Sequence, residues 1–125
     1  LKQDMENLFH KIENTLQTKY DDGYATCTFA VNQVSKELIS KNINHKIVSG
    51  SFGKNEDSHW WVETTNMLKN MLIDLGDNIT QQDISNGKVI YRIIPVNLAS
   101  SFGYISEEYL TPAKWKSYYK TIENY

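Results

Sequence analysis

The sequence predicts an α+β domain in which N-terminal helices and a C-terminal helix pack on an antiparallel sheet of about four strands. Apolar residues recur at helical spacing near both ends of the chain, whereas the middle consists of short runs rich in β-branched and aromatic residues. Helices and strands segregated along a chain in this way favour an antiparallel sheet. The 125 residues contain no repeat or Pro/Gly-rich linker, so we expect one domain over 1–125.

Three segments have the pattern of a helix. The first, DMENLFHKIENTLQ, covers residues 4–17 and has apolar residues on one face. A second helix is expected to begin near Cys27 and to end at KNIN, residues 41–44. The last begins around Pro112, because proline is favoured in the first turn of a helix. Each of these helices has an apolar stripe that can pack on a sheet.

Four segments between these helices have the pattern of a strand. HKIVSGSF (45–52), HWWVETT (59–65) and MLIDLG (71–76) are short and separated by turn residues, and the second and third are expected to form a hairpin. KVIYRIIPV (88–96) is the segment richest in β-branched residues. His45, which begins the first strand, is expected to be solvated.

Composition bears on several classes of function. The formal net charge of −2 and the pI of about 5.9 provide no general attraction to nucleic acid or anionic lipid, so neither is expected as a partner. No apolar run approaches the ~20 residues that span a bilayer. The lack of a signal-peptide pattern suggests a cytoplasmic protein, or a domain excised from a secreted parent. Cys27 is the only cysteine, and an internal disulfide needs two.

Cys27 is placed where a nucleophilic thiol would be activated. The thiolate is the reactive species, and an ordinary thiol with a pKa of about 8.5 is mostly protonated at neutral pH. The start of a helix and a neighbouring imidazolium both favour the anion. The backbone N–H of Cys27 would also be an unpaired donor of the first turn, available to an oxyanion.

His59 and Asp74 are the expected partners of this thiol. His59 begins the second predicted strand, and Asp74 lies on the third, which is expected to pair with it. Side chains on one face of an antiparallel pair come within about 5 Å, or about 7–8 Å on the diagonal, so the carboxylate can orient the imidazole. Glu63 is a weaker candidate, because four residues along a strand place it about 13 Å from His59.

Three motifs, taken in order, carry a resemblance to a known group. CTFAVNQVSKELISKNINHKIVSGSF, HWWVE and MLIDLG together resemble the papain-like cysteine enzymes of the transglutaminase-like group. In that group a cysteine begins a helix, and a strand, an H-aromatic-V-E stretch and an I-D strand follow. The resemblance covers roughly residues 20–80. Position 21 is Asp, where a papain-type site would have Gln as an oxyanion donor.

The resemblance implies a papain-like, transglutaminase-like fold in which Cys27 is the nucleophile, His59 the general base and Asp74 the orienting carboxylate. It implies acyl transfer through a thioester, completed by water (protease, amidase or protein-glutamine deamidase) or by an amine (transglutaminase). The chain also resembles the papain-fold effector and toxin domains of bacteria. This implies a protein or peptide substrate and a dedicated inhibitor protein as partner, and no cofactor is expected.

Aromatic residues near the expected triad are candidates for substrate binding: Trp60, Trp61 and Tyr24. Because neighbours in a strand point to opposite faces, one of the two tryptophans is expected in the core and the other beside His59. A side-chain donor to the oxyanion is not singled out by the pattern. Three candidates stay open: Gln17, Tyr20 and Tyr24.

A rival hypothesis is a non-catalytic module on the same fold, whose cleft binds a protein or peptide. A lone cysteine is often a small buried hydrophobe, and the lack of an evident oxyanion side chain favours this hypothesis. A metal site is not expected, because the chain has no C-x-x-C or H-x-x-x-H pair. The lysines and aromatics of WKSYYK (115–120) suggest binding to nucleic acid or to a partner helix, but their helical spacing favours burial of the aromatics against the sheet.

Overall fold

The computed structural model describes residues 2–19, 27–74 and 91–123. These contain three α-helices: α1 (Lys2–Lys19), α2 (Cys27–Ser40) and α3 (Pro112–Glu123). They also contain five strands: β1 (His45–Phe52), β2 (Asp57–Thr64), β3 (Met71–Asp74), β4 (Arg92–Pro95) and β5 (Tyr104–Leu110). The predicted α+β class is confirmed, and the expected number of about four strands was one too few. No helix within these residues is both long and apolar enough to cross a membrane.

The five strands form one antiparallel sheet in the order β4-β3-β2-β1-β5. The predicted hairpin of β2 and β3 is confirmed, with Val62 opposite Ile73 and Glu63 opposite Leu72. Within the predicted strand over 88–96, Arg92–Pro95 forms β4, and residues 88–90 lie outside the described part. The strand that the sequence analysis did not assign is β5, which pairs with β1 at the edge of the sheet.

Both faces of the sheet have apolar cores. On the face covered by the helices, Ile47, Val62 and Ile73 pack with α1, with the apolar stripe of α2 and with Trp115 of α3. On the opposite face, a second cluster is formed by four buried side chains: Val48, Trp61, Leu72 and Tyr104. Because side chains alternate along a strand, each strand contributes to both clusters and the register of the sheet is fixed on both sides.

His45 is buried, so the expectation that it is solvated was wrong. Its Nδ1 lies 2.9 Å from the carbonyl oxygen of Ile43 and its Nε2 lies 2.7 Å from Oγ of Ser35. A carbonyl only accepts, so Nδ1 donates to it and Nε2 accepts the Ser35 hydroxyl. Burial lowers the pKa of His45 more than the bond to Ile43 raises it, and the neutral ring links α2 to β1.

Gly50 allows β5 to approach β1 closely beside the candidate site. It lies opposite His59 in the β1–β2 pairing, and the β1–β5 register shifts between Ser49 and Gly50. A Cβ atom at Gly50 would lie 1.9 Å from the carbonyl oxygen of Ile105. Only glycine therefore fits this position without moving the backbone of β5.

Candidate active site

Cys27 is the first residue of α2, as the sequence predicted. Its thiol is free and half-buried. The N–H groups of a helix's first turn point out of its N-terminal end, and the helix dipole places partial positive charge there. A negative charge that forms on Sγ, or on an oxygen bonded to a carbon that Sγ attacks, is stabilised there.

His59 and Asp74 form a buried hydrogen-bonded pair. Continuing the β2–β3 register places Asp74 opposite Trp61, hence diagonal to His59 on the same face of the sheet. Nε2 of His59 lies 2.8 Å from Oδ1 and 2.9 Å from Oδ2 of the carboxylate. The two residues are only 4% and 3% exposed. The predicted partnership of these two side chains is present in the structure.

Cys27 completes the cluster through the other side of the imidazole. Burial alone would lower the pKa of His59, but hydrogen bonds and Coulombic interactions with Asp74 and then Cys27 outweigh it and raise this pKa to about 10. Because Asp74 occupies Nε2, the nitrogen left for the thiol is Nδ1. The arrangement favours a charged imidazolium at neutral pH. The structure thus brings together the three residues expected to act: Cys27, His59 and Asp74.

Tyr104 and Arg92 also belong to this cluster, and the sequence analysis missed both. The Tyr104 hydroxyl donates to Oδ2 of Asp74 over 2.5 Å. Burial, followed by the charge and hydrogen bond of Asp74, raises the pKa of Tyr104 although Arg92 acts in the opposite direction, so the phenol stays a donor. Arg92 lies opposite Asp74 in the β3–β4 pairing. For Tyr104 the only available signal was the group of strand-forming residues in YISEEYL, which has no clear alternation.

Glu63, the weaker candidate for the orienting carboxylate, has other partners. Its Oε2 accepts the indole N–H of Trp61 over 3.0 Å, and its Oε1 lies 3.9 Å from Nζ of Lys46. It is buried two residues beyond Trp61 on the same face of β2 as His59. The imidazole is thus oriented by Asp74, as the preferred prediction had it.

The two tryptophans pack on opposite faces of the sheet, as expected, but neither presents an exposed ring beside His59. Trp61 shares the face of His59 and is fully buried, which argues against the predicted contact with substrate. Trp60 faces the helices and packs on α3, with ring centroids 5.3 Å from Trp115 and 5.8 Å from Tyr118. Tyr24, the third expected substrate-binding residue, lies outside the described residues.

Within the described ranges, no group of three or more His, Cys, Asp and Glu side chains is arranged to hold a metal ion. Comparison with known proteins gives no match to a family model, to a curated protein or to a solved structure.

Proposed function

We propose that this chain is a cysteine-dependent acyl-transfer enzyme with a papain-like, transglutaminase-like fold. The observation that carries the proposal is the meeting of a thiol at a helix start with a buried His59–Asp74 pair. A structural histidine does not need a carboxylate on one nitrogen and a thiol on the other. A catalytic triad does need this order of contacts, from the nucleophile to the base and from the base to the group that orients it.

In the proposed reaction the Cys27 thiolate attacks the carbonyl carbon of a carboxamide or peptide bond. The carbonyl oxygen becomes an oxyanion, which accepts a hydrogen bond from the Cys27 N–H at the start of α2. His59 gives its proton to the departing amine or ammonia, the C–N bond breaks, and a thioester remains. Water or an amine then attacks the thioester, His59 takes a proton from it, and the Cys27 thiolate is released.

The charge state of His59 supports this mechanism. A pKa raised to about 10 keeps the imidazolium charged at neutral pH, so the proton that the leaving group needs is already on the ring. Asp74 remains beside the ring throughout, holding it by Nε2. The substrate we propose is a protein or peptide, with a dedicated inhibitor protein as a partner, and the chemistry needs no cofactor.

The rate at which iodoacetamide alkylates Cys27 between pH 4 and 9 tests whether Cys27 and His59 form a thiolate–imidazolium pair. We expect fast labelling well below pH 8 in the wild type, and slow labelling that rises only near pH 8.5 in His59→Gln. Glutamine at position 59 can still donate to Asp74 but cannot hold a proton. Ser58→Ala, which changes the exposed neighbour on β2, is the matched control and should follow the wild type.

Acyl-transfer activity is then assayed with glutamine-containing and ordinary peptides, by release of ammonia, by cleavage and by incorporation of a labelled amine. A thioester on Cys27 is detected by mass spectrometry as an adduct that hydroxylamine removes. Full activity of His59→Gln on any substrate would show that the mechanism is wrong. Slow alkylation of the folded wild type would favour the rival hypothesis, a binding module on the same fold.

A further inference from the structure

The Asp74 carboxylate has two oxygens to satisfy, and His59 can satisfy only one of them fully. Nε2 carries a single proton and lies nearly equidistant from the two oxygens, at 2.8 Å and 2.9 Å. Buried polar atoms are hydrogen-bonded in native structures, and a charged carboxylate most of all. The Tyr104 hydroxyl supplies the second bond at 2.5 Å, to Oδ2. The phenol therefore holds Oδ2 and leaves Oδ1 for His59.

Tyr104 is itself held rigidly. Its ring centroid lies 4.5 Å from that of Phe52 and 5.1 Å from that of Trp61, which it meets edge-on. Its backbone N–H donates to the carbonyl oxygen of Ala99 over 3.0 Å. Only 3% of the residue is exposed. A phenol fixed in this way can fix the group to which it donates, with little further loss of side-chain freedom.

Arg92 supports the phenol from β4, at the opposite edge of the sheet from β5. Its guanidinium hydrogen-bonds to Tyr104 and lies 4.9 Å above the ring of Phe52. An oxygen that accepts from a cation becomes a better donor, so this bond strengthens the one from Tyr104 to Asp74. The cluster then forms one chain of donors, from Arg92 to Tyr104 to Asp74, with His59 donating to the same carboxylate.

We propose that Tyr104, supported by Arg92, is a positioning residue of the candidate active site. Its hydroxyl fixes the rotation of the Asp74 carboxylate, and the carboxylate then holds His59 with Nδ1 towards Cys27. This inference rests on the proposed function, because it assigns to Tyr104 an effect that reaches Cys27 only through His59.

A double-mutant cycle tests the positioning role of Tyr104. The measured quantity is the second-order rate of Cys27 alkylation at pH 7. Tyr104→Phe removes only the hydroxyl and is expected to lower the rate about tenfold, in the range that misplaced catalytic groups cost. In the His59→Gln background the same change is expected to alter the rate by less than about twofold, because the residue through which Tyr104 acts is gone. Tyr109→Phe, on the exposed part of β5, is the control and should match the wild type.

Three outcomes overturn the proposal. An equal loss in both backgrounds would mean that the hydroxyl only supports packing. If Tyr104→Phe is alkylated at the wild-type rate while His59→Gln is alkylated slowly, Tyr104 is not a positioning residue, but the proposed function stands. If His59→Gln is alkylated at the wild-type rate, both the positioning role of Tyr104 and the proposed function are wrong. If Tyr104→Phe does not fold, the cycle is run with Arg92→Gln at the half-exposed end of the chain of donors, and a loss of about threefold that is absent in His59→Gln is expected.

Discussion

The variant Asp74→Asn tests whether the carboxylate of Asp74 keeps His59 charged. Asparagine has the same shape, so its carbonyl oxygen can still accept the hydrogen bond of Tyr104. Its amide group then faces Nε2 of His59 and donates to it. Nε2 must become an acceptor, which moves the proton of the neutral ring to Nδ1, on the side of Cys27. A ring in this tautomer cannot take the proton of the thiol.

The size of the effect follows from the contacts of His59. Burial lowers the pKa of this residue, and Asp74 contributes more than Cys27 does to the interactions that raise it to about 10. Without the carboxylate, burial dominates. A histidine with the ordinary pKa of about 6.5 is only about one-tenth protonated at pH 7.5, and a buried one less so.

We therefore expect alkylation of Cys27 at pH 7.5 to fall at least about tenfold in Asp74→Asn, from the change in protonation of His59 alone. The reversed tautomer should lower the alkylation rate further, because the wrong histidine tautomer costs about 10⁴-fold in kcat in Ser-His-Asp enzymes. The free energy of unfolding should fall by about 1.5–3 kcal/mol, the usual contribution of one hydrogen bond to a charged group.

The assay is the rate of iodoacetamide labelling from pH 5 to 9, followed by intact mass. Cys27 is the only cysteine, so each adduct reports this one thiol. Glu108→Gln removes an exposed carboxylate on β5 and serves as the control for a change of net charge. If folded Asp74→Asn is labelled at the wild-type rate over the whole pH range, Asp74 does not control the charge of His59.

Three further predictions concern stability, measured by urea unfolding. The pKa of His45 is lowered in the folded protein, so the stability that this residue contributes is present above pH 6.5 and is lost as the pH falls through its folded pKa. The free energy of unfolding of His45→Gln should therefore decline less than that of the wild type from pH 7.5 to 5.5. Gly50→Ala should lose at least about 3 kcal/mol or fail to fold, because its Cβ would overlap the backbone of β5; near-normal stability would mean that β5 can shift. Leu38→Ala should cost about 2–5 kcal/mol in the core, whereas its exposed neighbour Ile39→Ala should cost less than about 0.5; equal costs would contradict the packing of α2.

The parts of the site that the sequence predicted are those set by local pattern. The start of α2 at Cys27, and the short hairpin that carries His59 and Asp74, depend on helix periodicity, strand alternation and turn residues within a few positions. The diagonal placement of the carboxylate follows from the geometry of an antiparallel pair. These features need no knowledge of distant segments.

The parts that were missed depend on contacts between distant segments. Tyr104 reaches Asp74 because β5 pairs with β1, and Phe52 lies opposite Tyr104 across more than fifty intervening positions. No local pattern specifies such a pairing. His45 was wrongly expected in solvent because its partner Ser35 is ten positions away on α2. Alternation placed Trp60 and Trp61 on opposite faces but could not tell which face would be fully buried.

The core of the sheet and the geometry of the site are set by the same register. Ile73 and Leu72 are buried in the clusters on opposite faces of β3, and Asp74 follows on the face of Leu72. A slip of one residue would turn the carboxylate towards the helices and Ile73 away from them, so the apolar packing itself excludes the arrangement in which His59 loses its partner. Weakening the core should therefore lower the fraction of folded molecules without altering the reactivity of those that remain folded. Leu38→Ala should label at the wild-type rate in the absence of urea, whereas Asp74→Asn should label slowly although it is folded. This contrast separates a defect in the fold from a defect in the chemistry.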